Sequence, residues 1–349
     1  MTDRFTFSKR WRDSLSDYVT SIAWSSDGGT LAVTSAAGEV ALFGSNQDRV
    51  TLQPSQRSAM TAVGFSPDSN YVAAAGQDGT VTAWLLEPEY PLAFEQTHPG
   101  AWLDQLAWHP RRPHLAYSAG PRVQVWDVAD KSQVAELDFE ASSALHLAWH
   151  PTGERLAVCG HGGIKVWDED WGAAPESIAV PGASLHAAWS TDGKYLGSGN
   201  LDRTLTVAEW DSPPPWLMQG FPGKVRQVAW SDASSPSDQP LLAAACAEGI
   251  TLWRQEESDR AWKSQVLRYH QGRVNAIAFQ PQTTRLASAG EDGCVCIWDG
   301  DKAPAKVLKF GQGCSTLAWH PSGQQLAIAG TYGAVGVWGL HMRQKKGFG

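Results

Sequence analysis

Histidine and cysteine are the residues here with the most chemistry to offer. His146 and His186 each stand three residues before a tryptophan, Trp149 and Trp189. Two equivalent strands would therefore bring two imidazoles side by side. Cys294 and Cys296 share one strand face at i and i+2, and Cys314 follows in the next repeat. A metal centre needs three or four ligands in defined geometry, and the sequence indicates no third ligand for the histidine pair. Cysteine is also an ordinary small core residue, so neither set is assigned a metal. HExxH, Walker A and GxSxG motifs are missing, which removes the commonest routes to metalloprotease, nucleotide and serine-hydrolase chemistry. Gly160-His161-Gly162-Gly163 has the composition of an oxyanion-hole loop but precedes no nucleophile elbow, and it reads as a turn. Glu256-Glu257 has no carboxylate at matched spacing and reads as solvated charge. The expectation is no catalytic residue, no cofactor and no enzyme.

Composition explains why so many groups have structural work instead. The chain has 349 residues and 18 tryptophans. A buried Trp removes roughly 150–250 Å² from water, so such usage needs a packing reason. The formal net charge of −8 repels a phosphate backbone, and nucleic acid is not an expected partner. The basic cluster Arg343, Lys345 and Lys346 is too short to reverse that. No run of 18 apolar residues suggests a membrane span, and no apolar stretch follows Met1–Arg4 as a secretory signal would require. Five cysteines without CxxC spacing fit reduced thiols, which implies a cytoplasmic chain.

The tryptophans fall on a repeat. Aromatic residues at 24, 65, 108, 149, 189, 230, 279 and 319 are spaced 40 to 43 apart, with one gap of 49. The residue before each is Ala or Gly, and the residue two before is apolar. A second strand carries pairs such as Leu31-Ala32 and Leu286-Ala287. After it come turns such as Asp78-Gly79 and Asp292-Gly293, where Gly tolerates positive φ. A third strand ends at Phe43, Trp84, Trp126, Trp167, Trp253, Trp298 and Trp338, and the fifth copy departs, its Trp210 displaced. Twelve of the 18 tryptophans occupy these two repeated positions, which assigns them to a core. Short fourth strands are read at 50–52, 92–94, 134–137, 178–180, 216–218, 265–267 and 307–310. Four strands every 40 residues or so make one propeller blade. The fold class is therefore all-β, a single β-propeller of eight four-stranded blades. The repeats are placed near 12–52, 53–94, 95–137, 138–180, 181–218, 219–267, 268–310 and 311–340, with a short tail at 341–349. The last copy lacks a fourth strand, so Phe5-Thr6-Phe7, within residues 4–11, is expected to complete it and close the ring. Residues 231–240 read as a flexible polar loop. Ser212 to Pro215 reads as a stiff spacer rather than a ligand for another domain.

The motifs resemble the WD40-repeat family over roughly residues 4–340. Trp126-Asp127, Trp167-Asp168 and Trp298-Asp299 are its signature dipeptides, and Phe65-Ser66-Pro67-Asp68 matches its usual turn. Three copies carry Trp-His-Pro instead, which puts His109, His150 and His320 in equivalent turns. The resemblance implies a hydrogen-bonded tetrad of His270, Ser288, Asp292 and Trp298, complete in the seventh copy only. It also implies partner-binding positions on one face of the ring. Carried over by register, these include Tyr18, Trp102, Asp104, Leu145, Leu185, Lys224, Arg226, Arg273 and Glu291. Trp102 is the expected apolar anchor, and Lys224, Arg226 and Arg273 the expected electrostatic complement. The implied function is a non-enzymatic scaffold or adaptor. It would be a monomeric propeller within a complex, and it would bind a protein or peptide that is acidic and carries an apolar anchor. The alternative is a metal-homeostasis or metal-carrying protein using the His and Cys sets, and a catalytic propeller is a third class. On the alternative reading, metal analysis of the purified protein would find a stoichiometric ion.

Overall fold

The computed structural model describes residues 5–140, 142–212, 214–234, 239–247, 249–256, 260–300 and 302–342. The basic cluster at 343–346, residues 1–4 and Glu257 lie outside them. The described residues form eight four-stranded antiparallel sheets and contain no helix. Seven sheets are simple meanders: blades 1 to 7 span residues 19–53, 60–97, 106–138, 146–178, 184–218, 225–268 and 274–309. In blade 8 the strands Cys314–Trp319, Gln325–Gly330 and Ala334–Met342 are completed by the N-terminal strand Phe5–Ser14. Ser14 pairs with Ala334 and Phe5 with Met342, so the closing strand contains Phe5-Thr6-Phe7 and runs three residues past the 4–11 segment read from the sequence.

The repeated tryptophans tie each blade to the one before. The indole Nε1 of Trp108 donates to the Gly64 carbonyl at 3.0 Å, Trp149 to Ala107 at 3.1 Å, Trp189 to Ala148 at 3.2 Å and Trp230 to Ala188 at 2.9 Å. Trp319 donates to Ala278 and, across the closure, Trp24 to Ala318. Each acceptor is the small residue before the aromatic of the neighbouring blade. Its size is explained by the approach, since a Cβ on Gly64 would already meet Leu106 at 3.1 Å. Between blades lie separate clusters of buried Leu, Val, Ala and aromatic side chains, one per cleft.

Two local expectations change. Residues 231–240 are not a flexible loop throughout: the first strand of blade 6 extends to Ser234, which pairs with Pro240. The outer strand of blade 4 is Glu176–Ile178, two residues earlier than read, because Val166 takes Glu176 as its partner.

Candidate functional site

Strands in each meander alternate in direction. The blade-to-blade connections and the turns between second and third strands therefore lie at one end of the ring, and the other turns lie at the opposite end. The Trp-His-Pro turns belong to that opposite end, and they are structural. His150 Nε2 donates to the Gly193 carbonyl of the next blade at 3.1 Å, and His320 Nε2 donates to Gly28 at 3.0 Å. Both rings meet the next blade's tryptophan edge-on, Trp189 and Trp24 respectively. His109 packs likewise on Trp149, with Glu169 at 3.8 Å from its Nε2. His109 and His150 are buried, so this end offers little imidazole to a partner.

The connection end carries the residues selected by register, and a recurring β-bulge explains how they are aimed. In six blades the pairing of first and second strands slips by one residue, at Thr20, Thr61, Leu185, Arg226, Asn275 and Ser315. A bulge leaves one residue unpaired and re-aims its side chain. Thr61 Oγ1 uses this freedom to donate to the Leu103 carbonyl of the next blade at 2.8 Å. Asn275 Nδ2 does the same to Cys314 at 2.8 Å, and Thr20 Oγ1 to Met60. Arg226 occupies the same bulge, is exposed and bonds no carbonyl among the described residues. Leu185 cannot make such a bond and is half-buried, as is Leu145.

Lys224, Arg226 and Arg273 converge on one hollow of about 330 Å³ with Gly223 and Ala247. Arg273 is ion-paired with Glu291. Lys224 and Arg226 have no acidic partner among the described residues. Tyr18 lies within the field of Arg273 and Glu291, and burial pushes its hydroxyl pKa up. Trp102 is 63 % exposed and borders a separate hollow of about 260 Å³ with Asp104, Ser118 and Ser143. Burial raises the Asp104 carboxyl. The hollow beside Trp102 and the one lined by the cations share no residue, and blades 4 and 5 lie between them. Two exposed aromatics at this end escaped the sequence reading, Tyr269 and Tyr332, the latter 82 % exposed in a second-to-third-strand turn. Their positions were in the register, but neither carries a repeated residue type that would single it out.

In blade 7, His270 Nε2 lies 2.8 Å from Ser288 Oγ, and Trp298 Nε1 donates to the same oxygen at 2.9 Å. His270 Nδ1 lies 3.1 Å from Asp292. Burial pushes the Asp292 carboxyl up, but the Gln271 and Cys294 amides and His270 outweigh it and hold it low. The tetrad is enclosed and structural.

His146 and His186 do meet. Their rings stack with centroids 3.9 Å apart and planes 28° from parallel. Both are half-buried by surface area yet ringed by protein. Burial lowers the His146 pKa to about 4 and holds His186 well below its ordinary value, with His146 adding to the effect. Among the described residues no three His, Cys, Asp or Glu side chains gather as a metal would need. All five cysteines are free and buried, and burial pushes the Cys159 and Cys314 thiols up to about 12 and Cys296 upward as well. The metal alternative gains no ligand set among the described residues.

Three stretches match the family model described as "WD domain, G-beta repeat": residues 48–84, 132–168 and 262–299. Each begins at the outer strand of one blade and ends with the third strand of the next. That is the offset that makes an N-terminal strand necessary for closure. Those three stretches are WD40 repeats, set in an eight-bladed β-propeller. Among similar proteins, a ribosome biogenesis protein ERB1 of Malassezia globosa is 24 % identical over 48 % of this chain and 23 % of its own length. A SEC13 homologue of Bos taurus is 30 % identical over 32 % of this chain and 42 % of its own. The small ribosomal subunit protein RACK1 of Caenorhabditis elegans is 26 % identical over 42 % and 36 %. The matches thus span less than half the length of each of these relatives. No helix among the described residues of this propeller is long and apolar enough to cross a membrane.

Proposed function

We propose that this propeller is a non-catalytic adaptor that docks an acidic protein partner on the connection end of the ring, working as one rigid subunit of a complex. The observation that carries this reading is the Lys224–Arg226–Arg273 hollow in a chain of net charge −8. Arg226 sits in a bulge that blades 1, 2 and 7 fill with a polar residue bonded to the next blade, yet it makes no such bond among the described residues. An unpaired guanidinium beside an unpaired ammonium is suited to a partner carboxylate or phosphate. Trp102 offers a second contact for a partner broad enough to cross the ring, since a large exposed aromatic is a typical interface anchor. Tyr18, Asp104, Leu145, Leu185 and Glu291 complete the surface. Relatives named for the small ribosomal subunit and for protein transport support an adaptor role. Five free cysteines suit a reducing cytoplasm.

The test is affinity capture from the native cell with wild-type bait and with Lys224→Glu/Arg226→Glu and Trp102→Ala baits. The charge-reversed bait should lose the partner recovered by wild type, and surface plasmon resonance should show slowed association with a flattened salt dependence. Trp102→Ala should chiefly speed dissociation. Equal recovery by all three baits would refute this docking face.

A further inference from the structure

A hollow of about 580 Å³ adjoins the basic one, and the two share Ala247. Its walls are the 219–222 connection and the face of blade 6 that looks toward blade 5. That face is built in register: Thr251 pairs with Val266 and Trp253 with Ser264, all four on one side of the sheet. The opposite side, with Ile250 and Leu267, is packed against blade 7.

Comparison with blade 7 explains why a groove is left. Phe221 stands four residues before Val225, where blade 7 has His270 before Val274. Ala244 stands opposite Val228, where blade 7 has Ser288 opposite Ile277. Blade 6 therefore has neither the His nor the Ser that hold Trp298 in its enclosed seat. Trp253 donates its Nε1 to Thr251 Oγ1 on its own strand at 2.8 Å and stays half-buried, whereas Trp298 is only 2 % exposed. Phe221 flanks Trp253 with ring centroids 6.1 Å apart. Blade 5 offers little cover. Its outer strand Trp216–Met218 has three residues against seven in Trp262–Arg268, and none of its strand residues lines the hollow.

Blade 3 has a hollow in the equivalent place, but it is lined by a network of its own polar groups. Gln124 donates to Glu136 at 2.8 Å, Gln133 to Gln124 at 2.7 Å, and Arg122 pairs with Glu136 at 3.0 Å. The blade 6 groove has no such network among its described residues. Instead it presents Trp253 and Val266, the latter 42 % exposed. Its rim carries Arg268, which has no acidic partner among the described residues, and beyond Ala247 it opens on Lys224 and Arg226.

We infer that the blade 6 groove and the basic hollow form one bipartite peptide site. Resting on the adaptor reading, it takes an extended acidic segment of a protein partner. A bulky apolar side chain of that segment enters between Phe221, Trp253 and Val266. A neighbouring carboxylate lies among Lys224, Arg226 and Arg273. Apolar area supplies the anchor, and the cations set direction and register. The apolar anchor next to the cations is thus this groove, and Trp102 is a remote contact.

The experiment uses the full chain and short fluorescein-labelled peptides that pair one Phe with one Asp at increasing separation, with Phe→Ala and Asp→Lys versions as controls. Fluorescence anisotropy should find one separation that binds best. Ser264→Trp, which fills the groove from an exposed outer-strand position, should weaken that peptide about tenfold or more, and Lys224→Glu/Arg226→Glu by a similar factor. The Phe→Ala peptide should lose affinity on wild type and lose nothing further on Ser264→Trp, since the two changes remove one contact. Val266→Arg serves as an independent block, and melting curves must match wild type for both variants. Undiminished binding to both blocked variants, with loss on Trp102→Ala, overturns the groove and leaves the adaptor face standing. Binding indifferent to the groove, to Trp102 and to the cations overturns both. Failure of every Phe/Asp peptide to bind overturns the bipartite site.

Discussion

The Trp230 indole lies 2.9 Å from the Ala188 carbonyl of the preceding blade, so the side chain is at once a core ring and a cross-blade donor. Trp230→Phe keeps an aromatic ring and removes the donor, and should cost about 1 kcal/mol. Trp230→Ala empties the site and should cost about 3–5 kcal/mol. Urea unfolding separates the two, and equal losses would show that the bond contributes nothing. The histidine latch at the opposite end is as exacting. Gly193 has φ +73°, and a Cβ there would fall 2.1 Å from His150 Nε2. Gly193→Ala should therefore cost more than the roughly 1–2 kcal/mol of a left-handed alanine. His150→Ala should relieve only the steric part, which a double-mutant cycle reads. The His146–His186 stack gives a pH signature. Above pH 6.5 both folded and unfolded chains hold these imidazoles neutral. As pH falls below 6.5 the unfolded chain takes up protons that the folded pair refuses, so stability is lost between about pH 6.5 and pH 4. The displacement of His146 alone is worth roughly 3 kcal/mol. A His146→Gln/His186→Gln variant should melt with a shallower dependence over that window, and identical slopes would remove the pair as the cause.

At the scale of strands and blades, the tetrad shows what a single hydroxyl holds. Ser288 Oγ accepts from Trp298 and bonds His270, so Ser288→Ala strands two buried nitrogens and should cost about 2–6 kcal/mol, the sum of two unsatisfied groups. Ala244→Ser in blade 6 should give no comparable gain, because Phe221 stands where the histidine would be. Denaturation midpoints of the two variants check this. The same comparison marks how far the sequence reaches. Blade number, the order of strands and the structural placement of the tryptophans follow from a period that every copy restates. The hydrogen bonds from those tryptophans to the small residues were half-visible, since the small residue was read but not its carbonyl. Strand lengths were less legible. The outer strand Trp262–Arg268 is more than twice as long as the segment read, because its ends are set by partners across the sheet rather than by its own pattern. The blade 6 groove was not legible at all. It arises from three departures at once, Phe221 for His, Ala244 for Ser and a short outer strand in blade 5. Each looks like ordinary degeneracy until the sheets are assembled. The convergence of Lys224, Arg226 and Arg273 followed from register, whereas the separation of Trp102 from them follows from ring geometry, which no local motif encodes.

The whole ring depends on a join made by residues far apart in the chain. Each sequence repeat supplies an outer strand to one blade and three strands to the next, so a linear array of them necessarily ends with one blade missing its outer strand. Phe5–Ser14 supplies it, pairing along the entire length of Ala334–Met342. Trp11 stacks on Phe43 of blade 1 at 5.1 Å, and Arg12 lies over Phe310 of blade 7 at 5.0 Å. The closing strand therefore touches both neighbours of the blade it completes. Deleting residues 1–11 removes most of this strand and the stacking Trp11, and it exposes a six-residue edge at 337–342. A long unpaired edge is a template for pairing with another chain. Truncation should lower the melting temperature and shift the protein toward dimers or larger species in a concentration-dependent way. Because each blade leans on its neighbours, the loss should appear in one cooperative transition rather than as early melting of blade 8 alone. Adding back a synthetic peptide of residues 1–14 should restore the monomer and the melting temperature, whereas a scrambled peptide should not. Light scattering and calorimetry read both quantities. A truncated chain that stays monomeric with an unchanged transition would mean that the ring is held by the blade-to-blade tryptophan bonds alone, including the one from Trp24 to Ala318 across the join.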